Sequence, residues 1–162
     1  MRRGAVWLLL WLMAGPATVL AAELPVATNL RLDGDQVRRE RLPILVFFAS
    51  HSCPYCYEVE ELYLKPRLAS GEYRNKVIMR VVYTDGALRL RDFGDRQTDH
   101  AAFARRYGVT FTPTIKMLDA DGVELVPGLV GLTTRDFYGA YLDEAIGSAL
   151  TKLRAPTLSR LQ

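Results

Sequence analysis

Cys53 and Cys56 are the only cysteines of the 162-residue chain, and they lie in the short segment CPYC. Cysteines at this spacing can bind a metal, form a structural disulfide or form a redox pair. A structural disulfide across so short a loop would constrain the unfolded chain little, because its entropic benefit grows with loop length. A zinc site needs four ligands, and only His51 and His100 remain to supply nitrogen. We therefore expect a redox pair, with no metal and no cofactor.

The first residues have the layout of a secretory signal peptide. A positive start, Arg2 and Arg3, precedes the apolar run Ala5–Ala14, and small residues follow as far as Ala22. We expect residues 1–22 to be cleaved on export, which places the pair where disulfides persist. The alternative is an uncleaved segment that anchors the chain in a membrane.

Removal of this segment changes the charge balance. The chain has 21 basic and 18 acidic residues, and without Arg2 and Arg3 there are 19 basic residues against the same 18. A nearly neutral chain has no electrostatic footprint for nucleic acid, so we expect no nucleic-acid partner. The remaining length suits one domain with a single core.

A strand and a helix must position the cysteines. The run Leu42–Ala49 has the length and composition of a strand buried on both faces. Pro54 suits the first turn of a following helix, where its missing N–H is not needed, and Pro66 would end or kink that helix. Helical spacing predicts that Val59, Leu62 and Tyr63 are buried and that Glu58, Glu60 and Glu61 face solvent.

The rest of the chain alternates in type. After the strand Lys76–Tyr83 we expect a charged connection over 84–97 and then a helix Asp99–Tyr107 capped by Thr98. A hairpin of the strands Thr114–Leu118 and Val123–Val126 is expected next. The last element is expected to be a helix from Thr133 or Thr134 to about Ala149, with Phe137, Tyr141 and Ile146 buried. This order predicts an α/β fold in which a βαβ unit and then a ββα unit form a central mixed sheet flanked by helices.

The domain is expected to occupy residues 36–150. The polar stretch 23–40 is predicted to be a leader or a short edge element, with residues 23–35 as the N-terminal leader segment. Residues 151–162 are predicted to be a C-terminal tail.

On this scaffold the two cysteines have different roles. Cys53 begins a helix, where free N–H groups and the helix dipole favour thiolate over thiol. We expect a Cys53 pKa below the reference of about 8.5 and expect Cys53 to be the attacking nucleophile. Cys56, shielded one turn later, would attack the resulting mixed disulfide and release the product.

The strand ending in FFAS, the CPYC segment and the downstream stretches YGVTFTPTIKMLDADG and VGLTTRDF resemble the thioredoxin fold family over residues 36–150. In that family the proline of the second motif is cis and lies beside the cysteines, and the residue before it offers its backbone to an extended peptide. The resemblance therefore implies a cis Thr112–Pro113 bond. It also implies a substrate site at Thr112 and Pro113, to which the CPYC segment adds Pro54 and Tyr55.

Three positions depart from cytosolic thioredoxins. Ser52 stands where tryptophan is usual, the dipeptide between the cysteines is Pro-Tyr as in glutaredoxins, and Phe47 occupies the position of a buried aspartate that helps to move a proton off the second cysteine. Proton transfer at Cys56 must therefore use another group or water. His51 and Glu58 are the ionisable candidates nearby in sequence.

Within the family, the leader, the middle loop and the GAYLDEAI helix are most similar to the exported thioredoxins of bacterial sulfur-oxidation clusters, the SoxW type. This likeness implies a periplasmic thiol:disulfide oxidoreductase that acts mainly as a reductase of protein disulfides and is fed by a membrane electron donor. We expect it to be a monomer. The alternatives are an oxidant that introduces disulfides and a non-catalytic module that binds peptides.

Overall fold

The computed structural model describes residues 22–155. In chain order its elements are α1 (Leu30–Glu40), β1 (Ile44–Ala49), α2 (Pro54–Val59), a π-helical segment (Glu60–Leu64), α3 (Lys65–Ala69), β2 (Ile78–Tyr83), β3 (Arg89–Arg91), β4 (Gln97–Asp99), α4 (His100–Arg106), β5 (Thr114–Leu118), β6 (Glu124–Val130) and α5 (Arg135–Arg154). The central sheet has the order β2-β1-β5-β6. Because β1 is parallel to β2 and antiparallel to β5, the predicted mixed sheet of an α/β fold is confirmed.

Strand β1 lies at the centre of the molecule, and all six of its side chains are buried. Leu45, Phe47 and Ala49 face a core completed by α2 and α5. The alternate residues, among them Val46 and Phe48, face a second core completed by α1 and α4. This alternation follows from the two-residue period of a strand and confirms the prediction of a strand buried on both faces.

Residues 23–40 differ from the predicted leader or short edge element. Residues 25–27 do lie along the edge of β2, where the Ala27 N–H donates to the Val81 carbonyl over 2.9 Å. Helix α1 then follows, and the Asn29 side chain caps it by accepting the Leu32 N–H over 3.2 Å. Only the short edge contact was anticipated; α1 was missed.

Gly34 explains why α1 is hard to predict. Glycine is unfavourable in the interior of a helix, and the surrounding segment LDGD has the composition of a turn. In the structure a Cβ at Gly34 would lie 2.5 Å from the carbonyl oxygen of Ala120. The helix and the turn between β5 and β6 approach so closely that only glycine fits.

The helix after the cysteines is wider than predicted in its middle. The Lys65 N–H reaches the Glu60 carbonyl across a π-helical turn, and the helix continues past Pro66 as α3. A π turn contains an additional residue and rotates the side chains that follow it. For this reason Leu62 is exposed, contrary to the prediction. Glu60, at the start of the π-helical segment, was also predicted to face solvent but is partly buried, four residues after Cys56 on the same helix face.

Two further boundaries differ from the prediction. The connection 84–97 contains β3, which pairs antiparallel with β4 in a small second sheet. Helix α4 has Asp99 as its N-cap, whose carboxylate accepts the Ala102 N–H over 2.7 Å, whereas Thr98 lies in β4. Asp and Thr both cap helices well, so sequence alone separates the two positions poorly.

The closing hairpin and α5 have the predicted order. Helix α5 extends beyond the predicted end at Ala149 to Arg154. Phe137 and Tyr141 were predicted to be buried, and this is wrong: Phe137 is 59% exposed and Tyr141 is also exposed. Apolar residues form two stripes on this helix, and the sheet contacts the stripe of Tyr138, Leu142, Ile146 and Ala149.

The predicted signal peptide and most of the predicted tail lie outside the described residues and stay predictions. Residues 151–154 form the end of α5. Between residues 22 and 155 no helix has both the length and the apolar character needed to cross a membrane.

Candidate active site

Cys53 and Cys56 form a disulfide between the end of β1 and the start of α2, with their Cα atoms 5.2 Å apart. Cys53 is the N-cap residue of α2, and its Sγ accepts the Cys56 N–H over 3.1 Å. Cys53 is partly exposed, whereas Cys56 is buried in the core beneath α2. The accessible sulfur is therefore that of Cys53.

The local sequence accounts for this position. The buried strand β1 ends at Ala49, and the polar residues Ser50–Ser52 turn the chain, with the Cys53 N–H donating to the Ser50 carbonyl over 3.2 Å. Pro54 occupies the first helical turn, where its fixed φ suits the helix. The disulfide thus lies at the carboxyl end of β1, the edge at which α/β sheets usually bind ligands.

The Thr112–Pro113 segment lies beside the disulfide. Its peptide bond is cis, the isomer that the resemblance implied. The Thr112 carbonyl oxygen is 3.6 Å from Cys53 Sγ, and the Gly131 N–H donates to the Pro113 carbonyl over 2.7 Å. Two motifs that are far apart in sequence therefore meet at one sulfur atom.

Three exposed apolar side chains, Tyr55, Phe111 and Val130, adjoin either this segment or the disulfide in sequence or in strand pairing, and they form what we call the apolar rim. Phe111, next to Thr112, is 71% exposed. Val130 pairs with Thr114 at the end of the β5–β6 ladder, and Tyr55 lies between the two cysteines in sequence. Exposed aromatic groups beside a reactive atom are typical of sites that bind other proteins.

His51 is held by Asp85. Its Nδ1 is 3.0 Å from Oδ1 of Asp85, its backbone N–H donates to Oδ2 over 2.9 Å, and its ring stacks on Tyr83 at 4.2 Å between centroids. Desolvation raises the pKa of the Asp85 carboxyl, but hydrogen bonds from Ser50 and His51 outweigh it and lower that pKa below its usual value. The carboxylate consequently stays charged and fixes the imidazole ring.

Glu58 lies on another face of the helix. Its carboxylate accepts hydrogen bonds from Nε and Nη2 of Arg135 at 2.5 and 3.1 Å. The hydrogen bond from Arg135 lowers the pKa of Glu58, which makes this carboxylate a poorer proton acceptor. Of the two proton-transfer candidates, only His51 contacts the space beside the cysteines.

That space is a cavity of about 180 Å³, lined by Ala49, Ser50, His51, Cys53, Cys56, Tyr57, Glu60 and Tyr83. Glu60 is the residue that sequence reasoning missed, because the pattern predicted an exposed position. Its separation of four residues from Cys56, which puts both on one helix face, was the available signal. Throughout 22–155 no group of three or more His, Cys, Asp or Glu side chains is placed to hold a metal ion.

Comparisons with known proteins agree with the fold. A search of curated proteins found no match. Among solved structures, an oxidoreductase named DsbH is similar at 17% identity, with a TM-score of 0.57 and coverage of 85% of this chain and 92% of that one. Spinach chloroplast thioredoxin f is similar at 20% identity, with a TM-score of 0.53 and coverage of 80% and 88%. A poplar thioredoxin h mutant has 17% identity, a TM-score of 0.52 and coverage of 89% and 95%.

The family is identified by a match in sequence. Residues 30–146, which include the disulfide and the Thr112–Pro113 segment, match the model of the thioredoxin-like domain. A disulfide at a helix start within this domain supplies the chemistry of a thiol–disulfide oxidoreductase. The chain therefore belongs to the thioredoxin-like domain family.

Proposed function

We propose that this protein is an exported thiol:disulfide oxidoreductase that acts mainly as a reductase of disulfides in partner proteins. The observation that carries the proposal is the environment of Cys53 Sγ, which lies between the Cys56 N–H at 3.1 Å and the Thr112 carbonyl oxygen at 3.6 Å. The first group favours a thiolate and the second opposes it. This balance gives a reactive but only moderately stabilised thiolate.

The balance bears on the direction of electron flow. A strongly oxidising pair is one whose reduced form is stabilised, chiefly through its attacking thiolate. Within the part of the chain that the structure describes, the polar atoms in contact with Cys53 Sγ belong to neutral backbone groups, and the residue after Pro54 is the neutral Tyr55. With no cation at the sulfur, the disulfide is not strongly destabilised, which favours a reductant over an oxidant.

The reaction then has two exchange steps. Reduced Cys53 attacks a disulfide of the partner, forms a mixed disulfide and expels one partner sulfur as a thiolate, which takes up a proton. Cys56 next attacks Cys53 Sγ, which breaks the mixed disulfide and releases the second partner thiolate. The partner gains two electrons, and the Cys53–Cys56 disulfide is restored.

The Thr112–Pro113 segment is the proposed docking site for the partner chain. Thr112 is partly exposed next to Cys53, and its backbone can pair with an extended peptide, as strands pair at a sheet edge. Pro113, Pro54 and Tyr55 complete the proposed substrate site. The apolar rim would then contact side chains on either side of the partner's disulfide.

The remaining expectations belong to this proposal. They are export to the periplasm after cleavage of residues 1–22, a monomeric state, a membrane electron donor and a role of the SoxW type. Helix α1 begins at Leu30 and is continuous across residue 36, so we now propose that the domain begins with α1. N-terminal sequencing of the protein from a periplasmic fraction tests the cleavage site.

Insulin reduction tests the activity. The wild-type protein, recycled by dithiothreitol, is expected to accelerate the precipitation of insulin chains, and Cys53→Ser is expected to abolish this acceleration. Cys56→Ser is expected to accumulate as a mixed disulfide with insulin. Full activity of Cys53→Ser would exclude the proposed chemistry. Partner binding that persists without catalysis in the wild type would favour a peptide-binding module instead.

A further inference from the structure

We propose that Glu60 accepts the proton of Cys56, through water in the cavity that both residues line, when Cys56 resolves the mixed disulfide. This inference rests on the proposed function and adds a residue to it. Resolution requires Cys56 as a thiolate, and a thiol that is buried in apolar surroundings ionises with difficulty. Phe47, fully buried in the same core as Cys56, supplies no carboxylate to help.

Geometry favours Glu60 for this role. Glu60 follows Cys56 by four residues, and its backbone N–H donates to the Cys56 carbonyl, which completes the helical turn between them. Side chains at this separation are neighbours on one helix face. Both line the cavity of about 180 Å³, which is well above the roughly 10–15 Å³ of accessible volume that one water molecule needs.

Lys65 holds the Glu60 carboxylate in place. Its Nζ lies 3.1 Å from Oε1 of Glu60. Residues five apart point about 140° away from each other on a regular α-helix, so this ion pair depends on the π-helical segment that runs between them. Single π turns occur often at functional sites, and this one brings a cation to the carboxylate that lines the cavity with Cys56.

The other charged groups around the cavity have fixed partners. Glu61 and Glu23 bind the same Lys65 Nζ, at 2.7 and 3.1 Å. His51 and Asp85 form their own pair on the side of Tyr83. Lys65 thus forms ion pairs with three carboxylates, and of these three residues Glu60 is the one that also lines the cavity. Because Lys65 Nζ is shared between three carboxylates, it does not pair with Glu60 alone.

The proton and the electrons balance in the proposed step. The Cys56 thiol passes its proton through water to the Glu60 carboxylate, and the new Cys56 thiolate forms a bond to Cys53 Sγ. The bond from Cys53 Sγ to the partner sulfur breaks, and the partner leaves as a thiolate. The proton on Glu60 then passes through the cavity to solvent.

Single-turnover reaction of the reduced protein with one equivalent of dithiobis(nitrobenzoate) separates the two steps. A first coloured thiolate is released when Cys53 attacks, and a second when Cys56 closes the disulfide. In Glu60→Gln, which keeps the shape and can still hydrogen-bond to Lys65, we expect an unchanged first phase and a second phase slowed at least about tenfold near neutral pH. Glu60→Asp is expected to recover part of the rate.

Glu61→Gln is the matched control, because Glu61 contacts Lys65 without lining the cavity. Both of its phases are expected to follow the wild type. The slow phase of Glu60→Gln should move toward the wild-type rate as the pH rises past about 8.5, because hydroxide can then remove the Cys56 proton without Glu60. This recovery separates loss of a proton acceptor from a structural defect.

Four results would overturn the assignment. A normal second phase in Glu60→Gln would remove Glu60 from the step, and a faster one would mean that its charge only repels the thiolate. A slow second phase in His51→Ala beside a normal one in Glu60→Gln would assign the role to His51. If the wild type releases no second thiolate, the proposed function fails and the role of Glu60 fails with it.

Discussion

The backbone N–H of Tyr83 donates a hydrogen bond to Nδ1 of His100 over 3.0 Å, at the end of β2. The opposite ring nitrogen, Nε2, is 2.8 Å from the carbonyl oxygen of Ala27 and donates to it. The fully buried imidazole ring is therefore neutral, and it connects Ala27 to strand β2. Burial lowers the pKa of His100 below its ordinary value, and the hydrogen bond to Ala27 offsets this only in part.

Folding stability should therefore fall in mild acid. Between the lowered pKa of folded His100 and about 6.5, the unfolded chain binds more protons than the folded one, so stability rises with pH in that interval. The contribution is complete above about pH 6.5 and is lost as the pH falls through the folded pKa. Urea unfolding at several pH values above about 5, where carboxylates do not yet titrate, measures this effect.

The two histidines of the chain provide the control. The pH dependence of the unfolding free energy should persist in His51→Ala and become weaker in His100→Asn. The asparagine amide can still donate one hydrogen bond and accept another, but it does not titrate. An unfolding free energy of the wild type that stays constant over this range would contradict the role of His100.

The apolar rim should affect protein substrates only. Phe111→Ala and Val130→Ala remove exposed apolar area next to the disulfide, so the KM for insulin is expected to rise several-fold, in line with loss of about 1 kcal/mol per side chain. Val123→Ala is the matched control for Val130, because Val123 is also exposed but lies at the opposite end of the hairpin. Reaction with dithiobis(nitrobenzoate) should not change in any of the three, and a uniform loss with both substrates would argue against docking.

The pKa of Cys53 should be lowered, but only moderately. In the disulfide form Cys53 Sγ contacts the Cys56 N–H and the Thr112 carbonyl, and we expect the first to stabilise a Cys53 thiolate in the reduced protein and the second to oppose it. The pH midpoint of iodoacetamide alkylation, measured in Cys56→Ser so that one thiol reacts, is expected between about 6 and 8.5. A midpoint near about 3.5, the value of a strong oxidant, would refute this account of the sulfur's environment.

Gly34 should be essential for the packing of α1. Gly34→Ala places a Cβ 2.5 Å from the Ala120 carbonyl oxygen, and the required shift is expected to cost about 1–3 kcal/mol of unfolding free energy. Gly147, on α5, has no atom within 4 Å of an added Cβ. Gly147→Ala should therefore be neutral or stabilise the protein by up to about 1 kcal/mol. Equal effects of the two substitutions in urea unfolding would show that close approach at Gly34 is unimportant.

Much of the fold could be predicted because its strongest signals are local. The run that forms β1 is continuously apolar, and DADG marks the turn of the β5–β6 hairpin. The elements that were missed depend on contacts between distant residues. Helix α1 contains Gly34, whose presence is explained only by the close approach of Ala120. Helix α5 has two apolar stripes, and which of them is buried depends on its contact with the sheet.

The cysteines of the candidate site could be predicted from the sequence, but the side chains around them could not. CPYC and the Thr112–Pro113 motif are visible in the sequence, and the structure brings them within 3.6 Å. The helical pattern assumed a regular α-helix after Cys56, and the π-helical segment breaks that pattern. The sequence pattern assigned Glu60 to solvent, although its separation of four residues from Cys56 puts both on one helix face. Glu58, which pairs with Arg135, was considered for proton transfer because it is near the cysteines in sequence.

The reduction potential of the Cys53–Cys56 pair, measured against defined thiol–disulfide buffers, tests the central claim most directly. Because no cation contacts Cys53 Sγ among the described residues, we expect a value below about −220 mV, which suits a reductant fed by an electron donor. A value near about −120 mV would contradict the account and make the protein an oxidant of exported chains.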